Sequence, residues 1–413
     1  MPRLELDDAP SSGAVLLRGR SGVKIASVRL FRVEGEGPAW AFDSRAVEAL
    51  DLYPDHVRAS AGADDVGSRL IARYVEIETD EGLTGMYGPI DARQAFLIAT
   101  DLRPMLIGLD AFATEQIHDR MLRLNRHGRA GMFVNAISAI DNALWDLHGK
   151  AVATPVYRLL GGPTRDRVPV YASMLGYSIE PDRAAAVAAE HKQHGFDAQK
   201  WFFAFGPGAG SEGLQRNLAM ARAVREAVGP GYPVMFDAFM GWDATYAADM
   251  LRGLEAVQPH WMEEPVPPER LGVFRRLAAA TSLRLATGEH AHTRWQIKEL
   301  LDAGVRVIQA DPDWAGGITE QRHICSLCSA YDVPVVAHGH AVQVPLHIAA
   351  SQSPQVVPMV EYLVRIQERN QFFHRTIHRP VDGMLELPAE PGLGLDLDDS
   401  KVDDRRELSF GDR

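Results

Sequence analysis

The chain has 413 residues, of which 46% are hydrophobic, 24% charged and 8% aromatic. This is an ordinary globular mixture that excludes a collagenous, coiled-coil or largely disordered chain, and the length allows two or three domains or one large barrel with an appendage. Lys and Arg number 43 against 55 Asp and Glu, a net charge of −12, so the cation excess of a general nucleic-acid binder is missing, while an anionic small molecule stays compatible through local fields.

Residues 1–22 are polar and contain Gly and Ser, which predicts an irregular lead-in. From Val23, KIASVRLFRVEG and RLIARYVEIETDEG alternate apolar and polar residues, the period of half-buried strands, and predict the antiparallel sheet of a small first domain. Between them Glu34 to Asp65 is rich in Gly, Ala, Pro and Asp. It is long for a structureless connection and reads as a lid or binding loop, with Trp40, Phe42 and Arg45 as candidate covers for an acidic substrate. Helical periodicity follows from Asp91 to Leu124 and from Ala136 to Leu160.

At Gly161-Gly162-Pro163 the rhythm changes, and short β-branched runs alternate with amphipathic helical segments. The runs are VPVYASM from Val168, DAQKWFF from Asp197, PVMFD from Pro233, PHWMEE from Pro259, LRLATGE from Leu283, VRVIQAD from Val305, VPVVAH from Val333 and VVPMVE from Val356. Eight such strands between helices predict a (β/α)8 barrel over 161–370. The Pro-, Gly- and Asp-rich segment 371–413 is expected to fold back on the first domain or over the barrel mouth.

Barrel chemistry sits at the C-terminal strand ends. Strand two ends near Lys200, three at Asp237, four at Glu263-Glu264, five at Glu289-His290, six at Asp311, seven at His338 and eight at Glu361. From Asp237 the steps are 26, 26, 22, 27 and 23 residues, each one βα unit, which places one ionisable group per unit around a single ring. Charged residues often end strands where solvent begins, but six consecutive units in phase exceed that. Asp237, Glu263 and Glu289 are three hard oxygen donors suited to Mg²⁺, and without a cation they would raise one another's pKa. Asp311 and His338 on neighbouring strands suit a carboxylate–imidazole pair acting as a base, with Lys200 and Glu361 flanking the site.

These residues stand in AISAIDNALWDLHGKAVATPVYRLLGG from Ala136, MFD at Met235, WMEEP at Trp261, TGEH at Thr287, QADPDWAGGITE at Gln309 and VPVVAHG at Val333. In that order and spacing, from about Lys24 to about Leu387, the sequence resembles the mandelate racemase branch of the enolase superfamily. The resemblance implies an α/β fold, a modified (β/α)7β TIM barrel (161–370) with an α+β N-terminal capping domain (23–160) on which 371–413 packs back. It implies Mg²⁺ on Asp237, Glu263 and Glu289, abstraction of the proton α to a carboxylate by His338 with Asp311, and Glu361 bonding the developing enediolate. Asp311 rather than Asp313 is the aligned carboxylate, because it lies five residues before the first Gly of GGIT. Racemases of the branch carry Lys-x-Lys on strand two, whereas here Lys200 is followed by Trp201 and Phe202, and phenylalanine moves no proton. QKWFF, the following GPGAGSEGLQRN, GEH and AHGH are most similar to the rhamnonate dehydratase group. That similarity implies dehydration of an acid sugar to its 2-keto-3-deoxy acid, with Lys200 on the substrate carboxylate.

The remaining marks are weaker. Cys325-x-x-Cys328 lies in a helical segment without a second pair and reads as structural. His290-x-His292 and His338-x-His340 could mark a zinc hydrolase, but the carboxylate ring already accounts for one hard metal, and His290 is read as a substrate-hydroxyl contact. Trp314 is a candidate pocket wall, and Arg126, His127 and Arg129 read as a solvated cluster. Two cysteines, the acidic start MPRLELDDAP and the lack of an apolar stretch near about 18 residues are read as a cytoplasmic protein with no membrane or nucleic-acid partner. A homo-oligomer is expected, as is common for such barrels. The expected function is a Mg²⁺-dependent acid-sugar hydro-lyase; the alternatives are a racemase or epimerase of a carboxylate, or a non-catalytic barrel retaining the metal.

Overall fold

The computed structural model describes residues 22–53, 55, 65–66 and 68–410, so most of the 1–22 lead-in lies outside the described residues. The alternating segments form strands Ile25–Glu36 and Arg69–Thr79, paired antiparallel from Ile25 opposite Thr79 to Glu36 opposite Arg69. Thr84–Tyr87 adds to one edge and Asp404–Glu407 to the other, so the chain's last strand lies on the first sheet. Within the loop between the two long strands, Trp40–Ala41 pairs with Asp65–Val66, and Ala49–Leu52 forms a 3-10 turn.

Helix Met132–Ala151 is apolar on nearly every side, with 16 of its 20 residues buried, because it lies between the antiparallel sheet and the barrel. Its buried polar residues tie the two together. Asp146 accepts from Met86 N at 2.9 Å and Leu393 N at 2.7 Å, which links the first sheet to the C-terminal segment.

The barrel strands are Arg167–Ser173, Gln199–Phe202, Val234–Asp237, Met262–Glu263, Leu285–Thr287, Val307–Ile308 and Val360–Leu363, the first, second, third, fourth, fifth, sixth and eighth of the barrel. They run parallel in the spatial order six-five-four-three-two-one-eight. The expected seventh strand is reduced to a bridge between Val335 and Ile308, with Val335 N donating to Val356 O at 2.7 Å on its other side. The fold is therefore an α/β curled parallel sheet, a modified TIM barrel, with an N-terminal antiparallel domain. Met384–Glu386 pairs antiparallel with barrel strand one, so the C-terminal segment contacts the barrel as well as the first sheet.

Candidate active site

Strand periodicity builds the site. Tyr171, Ala198, Met235, Trp261, Ala286, Val307 and Val336, with Met359 beside them, make an apolar floor inside the barrel. Two residues on, each strand presents the same face again. That step places Ser173, Lys200, Asp237, Glu263, Gly288, Gln309, His338 and Glu361 in the next layer. Strand six thus contributes Gln309 to the layer of Lys200 and Asp237, with Asp311 one period higher and Glu289 just beyond Gly288.

Lys200 is 1% exposed and stands among three carboxylates: Glu263 Oε1 at 2.5 Å, Glu361 Oε1 at 2.9 Å and Asp237 Oδ2 at 3.3 Å. Burial opposes its charge, but Glu263 and Glu361 outweigh burial and hold its pKa well above the usual lysine value. Glu361 is likewise opposed by burial, yet Lys200 and His338 draw its pKa below the ordinary value. Its Oε2 accepts the Gly339 N–H at 2.9 Å. The second oxygen of Glu263 accepts the Trp261 indole N–H at 3.0 Å.

Glu264 turns elsewhere. Its φ of +38° is a strained conformation for a residue with a Cβ, and such strain concentrates at functional sites. Its side chain accepts from Thr287 Oγ1 at 3.0 Å and lies 3.1 Å from His290 Nδ1. Glu264, Glu289 and His290 each offer a ligand atom, all within 4.8 Å of one another, the one such trio among the described residues. Glu289 therefore sits with Glu264 and His290, while Asp237 and Glu263 hold Lys200, whose ammonium supplies the positive charge on that side. Burial, with Glu289 and Glu264 nearby, pushes Asp237 up to about 6. Burial and Glu264 push Glu289 up to about 7, with His338 and His290 opposing. Burial disfavours charge on His290, but Glu264 and Glu289 outweigh it and raise its pKa to about 9. A set of buried, hard oxygen donors that destabilise one another's charge fits a divalent cation such as Mg²⁺.

His338, with a side chain 14% exposed, has Nδ1 2.8 Å from Asp311 Oδ2 and Nε2 3.7 Å from Glu289 Oε2. Asp311 accepts the Asp313 N–H on its other oxygen at 2.7 Å. Burial and the neighbouring Asp313 raise the Asp311 pKa well above its ordinary value, with His340 opposing. Trp314 stacks on His338 at 4.8 Å between ring centroids and also meets His340 at 5.4 Å and His290 at 5.8 Å.

The loop carrying these aspartates is clamped by helix Met132–Ala151. Asn142 donates to Pro312 O at 3.2 Å and accepts from Ile318 N at 3.0 Å; Ser138 accepts from Gly316 N at 2.9 Å; Asp141 accepts from Thr319 N at 2.8 Å. Gly317 has φ +82°, and a Cβ there would stand 2.5 Å from the Asp141 side chain, so close approach requires glycine at this position. The sequence AISAIDNALWDL thus acts at a distance, by holding the Asp311 loop.

The structure does not bring Arg45 to the carboxylates. It pairs with Asp51 at 2.5 Å and lines a cavity of about 760 Å³ whose walls include Ser178, Phe205 and Arg216. Trp40 lies on the short strand opposite Val66. Cys325 and Cys328 are buried and unpaired. Among the described residues no helix is long and apolar enough to cross a membrane.

Residues 182–401 match the family model for the enolase C-terminal domain-like fold. Residues 65–161 match the mandelate racemase / muconate lactonizing enzyme N-terminal domain. The chain belongs to the enolase superfamily, in its mandelate racemase branch. An L-rhamnonate dehydratase from Saccharopolyspora erythraea is 34% identical over 395 residues, 91% of this chain and 97% of that protein. The crystal structure of a rhamnonate dehydratase from Gibberella zeae complexed with Mg superposes with a TM-score of 0.81 at 30% identity, covering 94% of this chain and 98% of that one. A racemase from Streptomyces coelicolor with bound magnesium gives 0.73 at 28% identity, covering 92% and 98%.

Within this enolase-superfamily barrel, the Phe202 ring on barrel strand two packs 6.4 Å from Phe239 and 5.3 Å from Lys200 Nζ. Sequence reasoning passed over a second imidazole–carboxylate pair, His340 Nδ1 to Asp313 Oδ2 at 2.8 Å, and the Tyr87 hydroxyl that donates to Asp313. A signal for it existed: Asp311 to His338 and Asp313 to His340 are both separations of 27 residues, so two DxD carboxylates face two HxH rings in the same register.

Proposed function

We propose that this protein dehydrates an acid sugar to the 2-keto-3-deoxy acid, with Mg²⁺ held by Asp237, Glu263 and Glu289. The observation that carries the reading is one imidazole oriented by a carboxylate, His338 on Asp311, with phenylalanine rather than lysine two residues after Lys200 on barrel strand two. His338 is bonded through Nδ1 to Asp311, which leaves Nε2 to take the C2 proton. Racemases of the branch carry their second lysine two residues after the first, where this chain has Phe202. Mg²⁺, when bound, supplies charge that stabilises the enediolate formed from the substrate carboxylate. Lys200 holds that carboxylate and offsets its growing charge. Glu361, 2.9 Å from Lys200 Nζ, is the residue this reading assigns to bonding the developing enediolate. The protonated His338 returns its proton to the departing C3 hydroxyl on the same face, so a syn elimination needs no other acid. His290, Trp314, Arg45 and Trp40 are the substrate contacts this reading keeps, with Arg45 and Trp40 on the loop between the two long strands of the first sheet. The unpaired cysteines suit a reducing cytoplasm, and a homo-oligomer belongs to the same reading. The test is a panel of acid sugars assayed for 2-keto acid with Mg²⁺ and after chelation. Loss of water from at least one member supports the reading; C2 epimerisation without loss of water supports the racemase alternative.

A further inference from the structure

The pair His340–Asp313 is built as carefully as the pair His338–Asp311, yet the reaction above gives it nothing to do. Asp313 is buried and uses both carboxylate oxygens: Oδ2 faces His340 Nδ1 at 2.8 Å, and Oδ1 accepts the Tyr87 hydroxyl. Tyr87 ends the edge strand of the first sheet, 226 residues away in sequence, and is itself buried. The backbone of His340 is fixed from the other side, its carbonyl accepting from Asn370 Nδ2 at 2.6 Å. Gln367 Nε2 donates to the carbonyl of the adjacent Gly339 at 2.5 Å.

An interdomain staple needs only Tyr87 and Asp313. It does not need an imidazole that stays open, and the His340 side chain is 34% exposed. With Nδ1 committed to Asp313, Nε2 is the free edge of the ring, and among the described residues it has no hydrogen-bond partner. Trp314 packs against both imidazoles, so His340 and His338 border the same indole. In the dehydratase reading the reacting carbons C2 and C3 lie at His338, and the carboxylate lies with Lys200. A ring one indole away from His338 therefore meets the part of an acid-sugar chain beyond C3, where hydroxyls are the only recognisable groups.

We propose that His340 is a specificity-determining residue whose Nε2 hydrogen-bonds a substrate hydroxyl beyond C3, held in register by Asp313 and, through it, by Tyr87 of the first domain. A hydroxyl both donates and accepts, so either protonation state of the ring can pair with it. The proposal rests on the dehydratase reading. Sites built to bond a hydroxyl reject analogues lacking it, because the site's own polar group is left unpaired.

The experiment compares kcat/KM for an acid sugar turned over by the wild-type protein with kcat/KM for the analogue deoxygenated at a single carbon beyond C3, each such carbon in turn. The comparison is repeated in His340→Phe, His340→Gln and Tyr87→Phe. Wild type is expected to favour the full hydroxy acid at one carbon on the order of 10- to 100-fold, the worth of one hydrogen bond to a polar or charged group. His340→Phe should lose that preference, mainly through KM. His340→Gln should recover part of the preference, and Tyr87→Phe should weaken it with the fold retained by thermal unfolding. A merely structural role would lower stability and leave the preference intact. An active wild type whose preference survives His340→Phe, or, should that variant not fold, survives both Tyr87→Phe and His340→Gln, overturns the proposal alone. A wild type that dehydrates no acid sugar overturns the dehydratase reading and this proposal with it.

Discussion

Asp311→Asn tests the base directly, because the structure dictates which way the new amide must face. Asp311 Oδ1 accepts the Asp313 backbone N–H at 2.7 Å, and Oδ2 lies 2.8 Å from His338 Nδ1. Asparagine has one acceptor oxygen. If that oxygen serves the Asp313 N–H, the NH₂ group points at His338 Nδ1. Nδ1 must then accept, the proton moves to Nε2, and the base is capped. Turning the amide to restore the productive tautomer aims its NH₂ at the Asp313 N–H and strands a buried donor, at about 1–3 kcal/mol. That alone reduces the competent fraction roughly 5- to 150-fold. The carboxylate that stabilises the imidazolium is lost as well, so kcat is expected to fall by about 10²–10⁴, the range of general base catalysis. Asp311→Ala imposes no tautomer and should be the faster of the two variants. Stability should hold in Asp311→Asn, since burial and Asp313 already oppose charge at this position. The assay is 2-keto acid formation and C2 exchange in D₂O, with thermal unfolding and bound Mg²⁺ measured alongside. A folded, metal-loaded Asp311→Asn protein with near-native turnover, or one clearly faster than Asp311→Ala, refutes the reasoning.

His338→Asn should abolish dehydration and C2 exchange while Mg²⁺ stays bound, read by turnover against metal content. Chelation should end turnover, and Glu289→Gln or Asp237→Asn should weaken Mg²⁺ affinity and activity together, measured by calorimetry and kinetics. For the chelated protein, Glu289 moves from 4.5 to about 7 and Asp237 from 3.8 to about 6 on folding, so the folded state binds more protons between those values. Stability should therefore fall as pH rises from about 4 to 7, and Mg²⁺ should raise the melting temperature more at pH 8 than at pH 5; a flat melting profile would contradict this. Gly317→Ala places a Cβ 2.5 Å from the Asp141 side chain at φ +82°, and should cost about 1–3 kcal/mol and slow turnover by shifting the Asp311 loop, checked by denaturant unfolding and kcat.

The sequence alone determined the layers and the phase of the site. Strand alternation and the βα rhythm are local, with periods of two residues and one βα unit, so the antiparallel sheet and the barrel could be read without coordinates, whereas Glu289 and Asp311 lie beyond the layer of Lys200, Asp237, Glu263, His338 and Glu361 rather than in one ring with them. The shared strand and helix motifs also identified the family. Side-chain direction at the strand ends could not be read, because it depends on loop dihedrals and on charges from other strands. Glu263 and Glu264 are adjacent, yet a φ of +38° at Glu264 sends one to Lys200 and the other to His290. Lys200 settles among three carboxylates because a buried ammonium needs compensation wherever it is offered. The pairing of Asp313 with Tyr87 joins two domains across 226 residues, and no local period encodes that contact. It exists only because helix Met132–Ala151, packed between sheet and barrel, holds the loop after Asp311 against the first domain.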